Sequence, residues 1–160
     1  MARRLVSSGS PYESTIGFSR AVRVGDVVAV SGTAPVWPDG RVDPDPLVQA
    51  RRCWEIALGA LAEAGGRPEH VVRTRQFLVD RSYEAAATQA HGEVFVDIRP
   101  ASTMVVVAGL LDPRWLVECE LDAIIAFPGH SAHRLRSARP LARWRSLARI
   151  GERGRQGGST

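Results

Sequence analysis

The chain has 160 residues, 44% of them hydrophobic, and a formal charge of +4. That length supports one domain with a core, and no apolar run approaches the roughly 20 residues that cross a bilayer. All 21 basic side chains are arginine, which excludes a Schiff-base lysine, a pyridoxal phosphate attachment site and a P-loop lysine, because each needs an amine.

Met1-Ala2-Arg3-Arg4 is not followed by an apolar leader, so the reading is cytoplasmic with no membrane partner. Residues 1–16 read as an N-terminal arm. Gly17 to Val24 and Val27 to Thr33 alternate apolar and polar residues around Gly25-Asp26, the pattern of an antiparallel hairpin. After a Pro-rich loop, Asp45 caps a helix with Pro46 in its first turn; Leu47, Ala50, Trp54, Ala57, Leu58 and Leu61 form its apolar stripe and Gly65-Gly66 ends it.

Val71 to Val79 is a β-branched strand with Arg73, Arg75, Phe77 and Val79 on one side and Val72, Thr74, Gln76 and Leu78 on the other. A second helix starts at Ser82 and buries Tyr83, Ala86, Ala87, Ala90 and Val94. Thr103 to Ala108 and Trp115 to Phe127 are the last strands. In the final one, Val117, Cys119, Leu121, Ala123 and Ile125 face the helices, while Glu118, Glu120, Asp122 and Ile124 share the other surface. The fold class is α+β, in the order ββαβαββ, with a mixed sheet and two helices on one face. Carboxylates beside Val105 and Val107 on that second surface point to an oligomer interface.

The folded domain spans 17–128, and 129–160 is a basic tail with eight arginines against Glu152; the body is slightly acidic. Gly157-Gly158-Ser159-Thr160 favours a disordered extension. The alternative is a basic amphipathic segment carrying Leu141, Trp144, Leu147 and Ile150, and nucleic acid is a partner only through it. Cys53 and Cys119 lack metal-ligand spacing and read as packing residues, and no dinucleotide fingerprint follows a strand. Neither a cofactor nor a metal is expected.

Three stretches carry a resemblance: Ser19 to Gly32, Arg99-Pro100-Ala101-Ser102-Thr103-Met104-Val105-Val106-Val107, and Leu116-Val117-Glu118-Cys119-Glu120. Together they resemble the Rid (reactive intermediate deaminase, YjgF-like) family, from Gly17 to Phe127. The resemblance implies a chorismate-mutase-like homotrimer with pockets between subunits. It also implies hydrolysis of enamine or imine acids to ammonia and a 2-keto acid. Deaminating members hold the substrate carboxylate with an arginine immediately after Pro-Ala, where this chain has Ser102; a hydroxyl supplies neither the charge nor the two-pronged geometry.

Within that resemblance Glu118 is the candidate catalytic residue, as general base or water-orienting group, with an ion pair to Arg20, Arg75 or Arg99 as its structural alternative. Gly32 lines the pocket with backbone. Phe18 stands where the family often has Tyr, and Thr88 falls near the family's Asn. Arg20 and Arg75 are candidate anion receptors, Arg75 with a carboxylate across the sheet as its structural alternative; Ser102 and Thr103 are candidate hydrogen-bonding groups, and Val105 an apolar wall. His91 ranks last, as a proton donor. Standard 2-iminopropionate deamination is expected to be weak or absent. The alternatives are a non-catalytic small-molecule sensor and a tailoring enzyme for an unstable biosynthetic intermediate.

Overall fold

The computed structural model describes residues 2–125. The expectations for the tail, and for the end of the last strand beyond Ile125, lie outside the described residues. Among the described residues, six strands and two main helices follow in order: β1 (Arg3–Val6), β2 (Ala21–Val24), β3 (Val27–Thr33), α1 (Pro46–Glu63), β4 (Val71–Leu78), α2 (Glu84–Phe95), β5 (Ala101–Val106) and β6 (Val117–Ile124). They form one sheet in the order β1-β2-β3-β6-β4-β5. Only β4 and β5 run parallel, joined by the α2 crossover; the other pairs are antiparallel.

The α+β class is as the sequence pattern indicates, with two differences near the start. β1 is an added edge strand that pairs with β2, from Arg3↔Val24 to Val6↔Ala21; four residues with only one buried carry no legible alternation. β2 begins at Ala21 rather than Gly17, because Glu13–Gly17 coil into a single π-type turn ended by Gly17 at φ 82°. The hairpin then closes at Gly25, whose φ of 59° suits a residue without a Cβ.

α1 starts where expected. The Asp45 carboxylate accepts from the Leu47 and Val48 amides, satisfying two donors of the first turn. Its stripe buries Ala50, Cys53, Trp54, Ala57, Ala60 and Leu61 against Val117, Cys119, Leu121 and Ala123 of β6. Each large side chain removed from water there contributes about 1.5–3 kcal/mol. Gln49, fully buried on the same helix, donates to the carbonyls of Asp43 and Arg114 and accepts from the Leu116 amide. One side chain thereby fixes the approach to β6.

The second helix is reached through a short 3-10 turn at Arg81–Tyr83, with Ser82 bonded to Asp80. It buries Ala87, Ala90 and Phe95. Tyr83, Ala86 and Val94 are only partly covered. Trp54 and Phe95 meet edge-to-face at 5.1 Å, and α1 and α2 share that aromatic seam on one side of the sheet. On β4, a register shift between Val71 and Arg73 puts Val71, rather than Val72, with Thr74, Gln76 and Leu78 on the helical side.

Candidate functional site

β6 places alternate side chains on opposite faces, and its burial alternates accordingly: Val117, Cys119, Leu121 and Ala123 are buried, and Glu118, Glu120, Asp122 and Ile124 are half-buried. On the helix-free face, the strand register sets Glu118 opposite Phe77, and Phe77 opposite Val105. The next row is Glu120, Arg75 and Thr103. Val105 is 42% exposed, and Val24 and Val27 are also open to solvent. This face is therefore an acidic row set among uncovered valines.

Arg75 is committed within that row. Its guanidinium donates to Glu120 at 2.7 Å and reaches Asp122 at 3.2 Å. The candidate anion receptor thus holds two carboxylates of its own sheet. The Glu118 carboxyl makes no hydrogen bond or ion pair among the described residues. Burial, then the negative charge of Glu120, push its carboxyl above the ordinary carboxylate pKa, with Arg20 pulling the other way. A carboxyl so displaced can hold or accept a proton nearer neutrality than a solvated one.

Gly32 sits at an irregularity in β3. Val30 pairs with Leu121 and Thr33 with Cys119, so Ser31 and Gly32 together oppose the single residue between them. The Gly32 Cα lies against Glu118, and an added Cβ would overlap Glu118 Oε1. Glycine is needed here for closeness.

Arg20, at the entrance to β2, reaches this bulge. Its Nη1 donates to the Gly32 carbonyl at 2.7 Å and to Thr33 Oγ1 at 3.1 Å. Burial lowers its pKa, opposed by the charges of Glu13 and Glu118, yet an arginine remains charged at any working pH. Its side chain also borders an open hollow of about 290 Å³ on the helical side, with Ser7, Ser8 and, from α1, Arg52, Glu55 and Glu63. Ser7 and Ser8 are tied to the Glu13 carboxylate, which orders the segment leading to half-buried Phe18.

Other candidates lie across the sheet. Ser102 pairs with Thr74, on the helical side, whereas Thr103 and Val105 share the face of Glu118. Thr88 is exposed on α2. His91 shares a 2.9 Å hydrogen bond with Thr74 Oγ1 and packs against Trp54 and Phe95; burial lowers its pKa. A single chain therefore assembles Glu118, Gly32, Thr103 and Val105 on or beside one face, with Arg20 at its border. It leaves Ser102, Thr88 and His91 on the other.

Sequence reasoning missed the Gly32 bulge, since a strand irregularity has no local pattern; for Arg75 it offered a cross-strand carboxylate as the alternative to a ligand, and the partners are Glu120 and Asp122. The faces of Phe77 and Glu118 on their own strands were legible from alternation, whereas their adjacency is set by the register of β4 and β6. Both cysteines are buried free thiols: Cys53 Sγ donates to the Val117 carbonyl at 3.4 Å, and burial pushes the Cys119 thiol up. Among the described residues, no cluster of three or more His, Cys, Asp or Glu is disposed to hold a metal, and no helix is long and apolar enough to cross a membrane.

Comparison with known proteins gives a consistent result. Residues 9–125 match the family model described as Endoribonuclease L-PSP. The crystal structure of Rv2704 from Mycobacterium tuberculosis, described as a member of the YjgF/YER057c/UK114 family, superposes with a TM-score of 0.72 at 40% identity, covering 78% of this chain and all of that one. The Streptomyces coelicolor protein SCO2049 is 42% identical over 123 residues, 76% of this chain and 92% of its own. Protein DfrA of Myxococcus xanthus is 34% identical over 128 residues, 78% of this chain and 95% of its own.

Proposed function

Because the chain belongs to the Endoribonuclease L-PSP family, the YjgF or Rid proteins, we propose that it works as a cytoplasmic homotrimer binding a small reactive carbonyl, imine or enamine between subunits. The observation that carries this reading is Glu118: a half-buried carboxyl without a polar partner among the described residues, packed on Gly32, on a face with uncovered valines.

In this reading Glu118 accepts a proton from water as it adds to the C=N carbon of the substrate. The nitrogen leaves as ammonia once protonated, and a carbonyl remains. Backbone at Gly32 and the Thr103 hydroxyl orient the ligand, and Phe77 with Val105 form the apolar wall. A neighbouring subunit brings its Ser102 and Thr88 to the cleft, since one chain keeps them on the opposite side of the sheet. With a serine at position 102, no guanidinium grips a substrate carboxylate from that strand, so imines of 2-keto acids are poor substrates. The acidic row of Glu118, Glu120 and Asp122 also disfavours a phosphate backbone, which weighs against RNA as substrate.

The test is ammonia release from a panel of freshly generated imines with and without a carboxylate, using wild type and Glu118→Gln. Turnover of carboxylate-free imines that falls at least tenfold in the variant supports the reading. Saturable binding without turnover in either protein would instead make the chain a sensor, and neither binding nor turnover would remove the proposal.

A further inference from the structure

Arg20 was a candidate for gripping a ligand, yet its guanidinium is directed at backbone. The Arg20 carbonyl accepts from both the amide and the hydroxyl of Ser31. The Arg20 side chain donates to the Gly32 carbonyl and to Thr33 Oγ1, and the Thr33 hydroxyl in turn donates to the Ser31 carbonyl. These bonds close a ring around the three residues where β3 departs from regular pairing. A bulge takes backbone groups out of the ladder and leaves them needing other partners. Here a single arginine nitrogen, Nη1, uses its two N–H groups on a bulge carbonyl and a hydroxyl together.

What this ring holds is the backbone against which Glu118 packs. We infer that Arg20 is a positioning residue for Glu118: by closing the Ser31–Thr33 bulge it fixes Gly32 beneath the carboxylate and anchors its own positive charge at the same place. This rests on Glu118 being the working carboxyl of the proposed site. Removing Arg20 then does two things. The bulge relaxes, and Glu118 loses the cation that offsets its surroundings. Those surroundings are Glu120 along β6 and Phe77 on β4, with Arg75 turned to Glu120 and Asp122 and the Cys119 thiol buried on the helical side.

The experiment is an NMR titration of the Glu118 side-chain carboxyl carbon in the full-length chain, with the Gly32 amide as a second reporter, in wild type, Arg20→Gln, Arg20→Lys and Thr33→Val. Arg20→Gln is expected to raise the Glu118 midpoint by about half a unit or more and to move the Gly32 amide. Thr33→Val should move the Gly32 amide with a smaller change in midpoint, because the cation stays. If Arg20→Gln does not fold, Arg20→Lys carries the test: it keeps charge, but its ammonium ends one bond short of the position of Nη1, so the Gly32 amide must shift. A folded Arg20→Gln, or failing that Arg20→Lys, with an unmoved Gly32 amide overturns the inference, as does an unmoved Glu118 midpoint in a folded Arg20→Gln. The titration reads the carboxyl whether or not any imine is hydrolysed. A shifted midpoint without turnover would therefore sink the proposed function and leave this inference standing.

Discussion

Glu118 Oε1 occupies the space in which a Cβ on Gly32 would stand. Two strands that pair through backbone thus also meet through a side chain and a missing side chain. The relationship makes Gly32 a determinant of where the carboxyl sits.

Replacing Gly32 by alanine displaces that carboxyl. Because the overlapping atom is the end of a flexible side chain, the carboxylate can swing aside, and stability is expected to change by only about 1 kcal/mol or less. The Glu118 carboxyl resonance and any imine turnover should both be altered. Urea denaturation with the same NMR reporter checks this; an undisturbed resonance would show that the two residues are not in contact.

Glu118→Gln should stabilise the protein above neutral pH. The folded-state pKa is raised above the ordinary value of 4.5, by burial and by Glu120, so the folded form holds its proton to higher pH than the unfolded chain. The ionised form then weakens folding at alkaline pH, and that penalty fades as pH falls through the folded pKa toward 4.5. Thermal melts should show the variant ahead of wild type at pH 8 and level with it near pH 4. Equal melting temperatures at pH 8 would mean that the carboxylate is solvated or paired in solution.

For His91 the sign is reversed. Burial lowers its folded-state pKa below the ordinary 6.5, so the unfolded chain takes up a proton first as pH falls. Stability contributed by the neutral ring is complete above about pH 6.5 and declines below it until the folded pKa is passed. Wild type should therefore lose more melting temperature between pH 7.5 and pH 5 than His91→Gln. An identical loss would place the ring in water rather than against Trp54 and Phe95.

The helix-free face predicts self-association. Light scattering should give three times the 17.4 kDa chain mass, and Val105→Asp should shift it downward without unfolding the chain, since Val105 is 42% exposed in the monomer. A wild-type monomer would contradict the inter-subunit cleft.

The sequence made the larger pattern visible because that pattern is periodic. From Val117 to Ala123, β6 alternates between apolar and acidic residues, and α1 repeats its apolar stripe from a capped start to a Gly-Gly stop, so both could be placed without coordinates. β1 and the β3 bulge could not. Four residues with one buried valine carry no period, and a bulge is a mismatch between two strands of which each alone looks regular. At the site, the face of Glu118 followed from alternation. The partners of Arg20 and Arg75 did not, because a long flexible cation chooses among several acceptors by distance, which only the folded chain defines. Ser102 shows the same limit, as its side of the sheet is set by pairing with Thr74.

The most direct measurement is ammonia release from freshly generated 2-iminopropionate by wild type and by Ser102→Arg. A site that keeps Glu118 on Gly32 but lacks an anion clamp at position 102 predicts a wild-type rate close to the buffer control and a clear gain, of tenfold or more, when the arginine is supplied. Rapid hydrolysis by the wild-type chain, undiminished or unimproved by that substitution, would contradict it.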